Sequence, residues 1–133
     1  RDRDVTGVQT CALPISLLAA LLVAHPLSRL AAVSIMALLD YARSDDSAKS
    51  APVARRPDAG ELGIATLAGV LPLLLLPAAA ALTALGLAAV VVVMALRTFA
   101  RRLGGYTGDT LGAVQQLSEI AIYLGILAAW SST

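Results

Sequence analysis

Residues 62–99 read LGIATLAGVLPLLLLPAAAALTALGLAAVVVVMALRTF, an apolar run that carries no charge before Arg97. As a single helix, at roughly 1.5 Å per residue, it reaches about 57 Å, nearly twice the roughly 30 Å hydrocarbon thickness of a bilayer. The run is therefore predicted to be a hairpin of two short membrane spans. Pro77, Thr83 and Gly86 are the available breakers, so the turn is expected within residues 77–86.

The rest of the chain repeats this pattern. Residues 17–39 form a second apolar stretch, long enough for one crossing but interrupted by His25, Pro26 and Arg29. Proline weakens a helix locally and biases its predecessor away from helical angles. The stretch thus reads either as one kinked helix or as two shorter ones. Residues 114–130 supply a final span ending at Trp130, a residue suited to the membrane interface. Between the spans lie two polar loops, DYARSDDSAKSAPVARRPDAGE at 40–61 and RTFARRLGGYTGDT at 97–110. Of 133 residues, 58% are hydrophobic and 14% charged, against about half and a quarter in soluble domains. A net charge of +1 with one Trp, one Phe and three Tyr argues against a nucleic-acid partner. The fold class is all-α, a polytopic integral membrane protein of about four transmembrane helices.

Charge sets the orientation. The first loop holds Arg43, Lys49, Arg55 and Arg56, and the second holds Arg97, Arg101 and Arg102. Splitting the long run in two puts both loops on one side, and basic loops stay in the cytoplasm. The polar loops 40–61 and 97–112 are expected to be cytoplasmic, with the C-terminus opposite. Residues 1–16, RDRDVTGVQTCALPIS, do not share this pattern and resemble a translated sequencing adapter. They are set apart from residues 17–133, which removes Cys11, the only cysteine.

Chemistry concentrates in LGGYTGDTLG at 103–112, with glycines at 104, 105, 108 and 112 immediately before a helix. Glycine permits positive φ and close backbone approach, and amides at a helix N-terminus bind phosphate oxygens. Arg101 and Arg102 add charge complementarity. Asp109 repels phosphate unless a cation lies between them, which is the usual setting of Mg²⁺. A purely structural reading is equally open: Asp109 or Thr110 as N-cap, and Gly108 with Gly112 as a packing pair. On the final span Gln115, Glu119 and Tyr123 share one face, and a carboxylate inside a membrane helix is a candidate functional group. Its structural alternative is pairing with a loop arginine. Arg29 either snorkels or points into a polar cavity with Asp40 or a bound phosphate. His25 reads as structural, and Asp45, Asp46 and Lys49 as a solvated face.

RRLGGYTGDTLGAVQQLSE, residues 101–119, resembles the C-terminal signature of the cobalamin synthase family, the adenosylcobinamide-GDP ribazoletransferases. LSRLAAVSIMALLDYARSDDSAKSAPVA, residues 27–54, is similar to an upstream segment of the same family. The resemblance implies a C-terminal fragment of a larger helical bundle in the bacterial inner membrane. It implies an enzyme that joins adenosylcobinamide-GDP to α-ribazole or its 5′-phosphate, releasing GMP with Mg²⁺, late in cobalamin biosynthesis. By that resemblance Gly104, Gly105, Thr107, Gly108, Asp109 and Thr110 line the active site. Asp109 is then a metal ligand and catalytic together with Glu119; that Arg29, Arg43, Lys49 and Arg102 contact phosphates or substrate is inferred from their charge and is not part of the motif. The family's acidic Asp-Gly-Leu-Ala-Asp motif has no counterpart here, so the chain alone is expected to be inactive without the missing N-terminal half. The competing readings are a transporter fragment, with Arg29 and Glu119 lining a path, and a small structural membrane subunit.

Overall fold

The computed structural model describes residues 3–42 and 55–131, with side chains described from Leu17 onward. Arg43, Asp45, Asp46 and Lys49 lie outside the described residues. Among the described residues four α-helices follow one another: α1 (Arg3–Leu38), α2 (Ala59–Val70), α3 (Ala78–Arg102) and α4 (Gly108–Ser131), with a 3₁₀ turn at Leu71–Leu75. α1 extends back to Arg3 through the segment that the sequence reading set apart. It also passes Pro26 without ending, so the open choice at His25-Pro26 resolves to a single helix.

Among the described residues three stretches are long and apolar enough to cross a membrane: Leu17–Leu38, Ala78–Arg102 and Gly108–Ser131. Ala59–Leu75 is a shorter apolar helix. A 3₁₀ turn rises about 2 Å per residue, so α2 and the turn together still reach about 28 Å.

The break in the long apolar run falls earlier than predicted, at Leu71–Pro77 rather than 77–86. Pro72 opens the 3₁₀ turn: it has no N–H to donate back, so the chain tightens there. Pro77 then drives Leu76 to extended angles, φ −104° and ψ 151°. Thr83 and Gly86 break nothing. The Thr83 hydroxyl donates back to the carbonyls of Ala79 and Ala80 within α3, and to Gly125 O of α4 at 3.1 Å.

Helices in lipid gain little from burying apolar surface and associate by close packing of small residues. Ala80, Ala84 and Ala88, four residues apart, are buried on α3. A Cβ at Gly125 of α4 would meet Leu87 Cδ1 at 3.0 Å and Thr83 O at 3.2 Å. The three alanines belong to a core layer that also holds Val23, Leu27, Leu73, Ile122 and Ile126. A second layer, at the end where the polar loops meet, is built from Ala31, Ile35, Ala95, Tyr106 and Val114.

The α2 start is well determined by its sequence, PDAGE. Asp58 is the N-cap and accepts from Glu61 N at 2.8 Å, while Glu61 accepts from Asp58 N at 2.9 Å. This reciprocal pair is a capping box. Arg55 also pairs with Glu61.

Candidate functional site

The two polar loops meet at one end of the bundle, where two backbone hydrogen bonds join them. Tyr106 N donates to Asp40 O and Ala42 N donates to Tyr106 O, both at 2.9 Å. They form an isolated parallel bridge between Tyr41 and Tyr106. The rings meet edge to face with centroids 5.5 Å apart, a favoured aromatic geometry. Tyr106 is fully buried. Its phenol is held above its ordinary pKa, first by burial and then by its neighbour Tyr41, with Arg56 opposing and Asp40 adding.

Two glycines make the bridge possible. Gly104 takes φ +70°, the left-handed region that β-carbon-bearing residues avoid, and so turns the chain out of α3. Gly105 sits against the other loop: a Cβ there would lie 2.2 Å from Asp40 O and 3.1 Å from Ala42 N. Asp40 receives a hydrogen bond from Arg56 at 2.7 Å. The start of α2 is thereby tied to the same place.

From Tyr106 the chain enters α4 through Thr107 and Thr110. Thr107 N donates to Thr110 Oγ1 and Thr110 Oγ1 donates to Thr107 O, both at 2.8 Å, while Thr110 N approaches Thr107 Oγ1 at 3.4 Å. Thr107 is therefore the N-cap, and Thr110 answers it from the third helical position; neither Asp109 nor Thr110 is the N-cap, as the structural reading had it. Leu111 N is satisfied by Thr107 O. The Gly108 and Asp109 amides are left without an acceptor among the described residues, at the positive end of the helix dipole. Gly108 and Gly112 are exposed, with nothing within 4 Å of the Cβ each would carry. They are not a packing pair. Gly125 holds that role.

This end of the bundle gathers Gly104, Gly105, Thr107, Gly108, Asp109 and Thr110, with Arg101 and Arg102 closing α3 just upstream. It does not gather Arg29 or Glu119. Arg29 lies eleven residues before Asp40 and Glu119 ten after Asp109, each about 15 Å farther along its helix. Arg29 does not pair with Asp40, which is held by Arg56.

The deeper station has partners of its own. Glu119 Oε1 lies 3.3 Å from His25 Nδ1 of α1, and Tyr123 donates its hydroxyl to the same oxygen at 3.1 Å. Glu119 is thus joined to His25 and Tyr123 instead of a loop arginine, and His25 belongs to the polar cluster. The pairing was hidden because nothing in the spacing of α1 relative to α4 shows which turns face each other. Tyr41 and Tyr106 were missed as organising residues too, although an aromatic residue inside each polar loop was a usable signal.

Among the described residues no group of three or more His, Cys, Asp or Glu side chains could hold a metal. Mg²⁺ needs octahedral oxygen coordination, usually from one or two carboxylates, substrate phosphates and water. Asp109 offers one carboxylate, and Asp40, on the other side of the bridge, is committed to Arg56. The described residues do not make a Mg²⁺ site by themselves.

A family model described as cobalamin-5-phosphate synthase matches residues 5–127. Its match begins inside the segment 1–16. Similar curated proteins are named adenosylcobinamide-GDP ribazoletransferase. Those of Shewanella sp. strain W3-18-1 and Shewanella putrefaciens are each 46% identical over 116 residues, covering 84% of this chain and 43% of the relative. That of Shewanella baltica strain OS155 is 44% identical over 112 residues, covering 81% of this chain and 41% of the relative. The chain thus spans less than half the length of the curated relatives it matches. No solved structure matches it. With residues 5–127 of its 133 matched and the glycine loop inside the match, the chain belongs to the cobalamin-5-phosphate synthase family.

Proposed function

We propose that this chain is the C-terminal part of a membrane transferase that joins adenosylcobinamide-GDP to α-ribazole or its 5′-phosphate and releases GMP. The observation that carries the reading is the pair of open amides at Gly108 and Asp109, presented by a loop whose shape depends on Gly104 and Gly105. Attack of an alcohol on a diphosphate builds negative charge on phosphoryl oxygens, and fixed N–H donors aimed at that charge lower the barrier. Gly104, Gly105, Thr107, Gly108 and Thr110 shape this cradle. The two threonines act through their capping contacts, which hold the first turn of α4 in place.

Asp109 is exposed beside the same amides. A carboxylate there is compatible with bound phosphate only when a cation lies between them. Mg²⁺, when bound, neutralises phosphate charge; in our reading Asp109 gives it one ligand and the acidic motif of the family's other half gives the rest. In the same reading Arg43 and Lys49, in the polar stretch 40–61 of the sequence, are assigned to substrate or its phosphates. We place that side in the cytoplasm of the bacterial inner membrane, since Arg55, Arg56, Arg97, Arg101 and Arg102 cluster there as the positive-inside rule requires.

The His25–Glu119–Tyr123 cluster supports the view that more protein covers α1 and α4. Charged groups facing lipid are costly, and intramembrane ionisable residues face a bundle interior or a water-filled cavity. Arg29 follows His25 by four residues on α1, and Gln115, Glu119 and Tyr123 are spaced by four on α4, so these groups form one polar stripe. The absent half of the transferase is the partner that this stripe fits.

The test is reconstitution in liposomes. The chain alone should yield no cobalamin 5′-phosphate, and the chain joined to the N-terminal half of a relative should yield it. Product from the chain alone, or none from a joined protein that folds and inserts, overturns the reading. Solute uptake by the same liposomes would favour a transporter.

A further inference from the structure

A groove of about 470 Å³ runs between α3 and α4, lined by Val91, Met94, Ala95 and Thr98 on one side and by Ala113 and Leu117 on the other. It is almost wholly apolar: the one hydroxyl in its α3 lining, that of Thr98, is spent on Met94 O at 2.7 Å. Successive helical residues turn by about 100°, so Val91, Ala95, Thr98 and Arg102 fall on one stripe of α3. Arg102 therefore stands at the loop-side mouth of the groove, with Arg101 flanking it. Both arginines are exposed, and neither makes an ion pair among the described residues.

Length and placement narrow the occupant. Val91 to Arg102 covers about 16 Å along the helix, close to half the roughly 30 Å hydrocarbon core. The groove thus occupies one leaflet, the one beside the polar loops. On α4 its lining residues lie about 160° around the helix from Glu119, so it opens away from the polar stripe that needs protein cover. An apolar channel one leaflet deep, with two exposed guanidinium groups at its headgroup end, is complementary to an acyl chain carrying an anionic phosphodiester.

We propose that the α3–α4 groove is a binding site for an anionic glycerophospholipid of the loop-side leaflet, its phosphate held by Arg102 and Arg101. This gives the Arg102 guanidinium to a lipid phosphate in place of a substrate phosphate. The lipid then lies against the same helix ends that present the glycine loop.

The whole protein carrying this chain, placed in nanodiscs of phosphatidylglycerol and phosphatidylcholine, provides the test. Leu117→Trp puts an indole in the groove, in a background where Trp130→Phe and replacement of any tryptophan outside this chain leave it as the sole indole. Brominated phosphatidylglycerol should quench that indole several-fold more than brominated phosphatidylcholine at equal mole fraction. Arg101→Gln with Arg102→Gln should abolish the difference. Native mass spectrometry of the unsubstituted protein should show phosphatidylglycerol retained over phosphatidylcholine, independent of any effect of the substitutions on folding. Equal quenching and retention of both lipids would mean an unselective lipid surface. No quenching by either would mean that protein fills the groove. Either result overturns the proposal.

Discussion

Gly105→Ala is the most informative single change at the loop end. The added methyl would sit 2.2 Å from Asp40 O and 3.1 Å from Ala42 N. The first distance is far inside any carbon–oxygen contact, and the obstacle is backbone rather than a flexible side chain, so the 40–42 strand must move. Moving it breaks Tyr106 N to Asp40 O and Ala42 N to Tyr106 O, each a 2.9 Å bond. Two such bonds contribute about 1 kcal/mol each, and overpacking adds about 1–3 kcal/mol. The expected loss is about 3–5 kcal/mol, read as a lower Tm in detergent and as loss of the Tyr41–Tyr106 ring contact. Gly112→Ala is the internal control: its Cβ has open space, and Ala within a helix is favoured over Gly by up to about 1 kcal/mol. If Gly105→Ala were as stable as the parent, or if Gly112→Ala lost as much, the bridge would not be what holds the two loops together.

Other outcomes follow from the same geometry. Thr107→Ala removes the N-cap of α4 and should cost about 1 kcal/mol, whereas Thr107→Ser should cost little; thermal unfolding distinguishes them. Glu119→Ala leaves the Tyr123 hydroxyl and His25 without their shared acceptor and should cost about 1–3 kcal/mol, with Glu119→Gln losing less because it still accepts from Tyr123. Burial raises the Tyr106 pKa, so the folded protein holds that proton more tightly than the unfolded chain. The resulting stability is fully present below the unfolded value of about 10 and fades as pH rises through the folded value. An alkaline unfolding series should therefore show Tyr106→Phe to be less pH-sensitive than the parent above about pH 10.

The sequence was most legible where a single physical constraint decided the answer. A 38-residue apolar run cannot be one span, and the chain does divide it. The location of that break was misread because Pro77 was weighed with Thr83 and Gly86, while Pro72 was not. Only the two prolines deny the backbone a donor; Thr83 returns its hydroxyl to the helix, and Gly86 is tolerated where neighbouring turns remain bonded. The glycine loop was legible as a unit, and the structure divides its glycines by role. Gly104 turns the chain, Gly105 admits the other loop, and Gly108 leaves an amide open. That division depends on what stands opposite each residue, which spacing does not encode. The same limit hid His25, whose partner Glu119 lies on a helix more than ninety residues away. Asp109 was read as both helix cap and metal ligand. The structure gives the cap to Thr107 and leaves the Asp109 carboxylate exposed.

The claim on which the account turns is that the Gly104–Thr110 end of the bundle handles the phosphate chemistry. Its most direct test is Asp109→Asn in the full-length protein carrying this chain, measured as cobalamin 5′-phosphate formed from adenosylcobinamide-GDP and α-ribazole 5′-phosphate at saturating Mg²⁺. Asparagine keeps the size of the side chain and the helix start while removing the charge. The account predicts an unchanged Tm within about 1 kcal/mol of stability and a fall in turnover of about 10²-fold or more, the scale of losing one charge-stabilising group. A folded Asp109→Asn protein that makes product at the parent rate would contradict it and move the chemistry away from this loop.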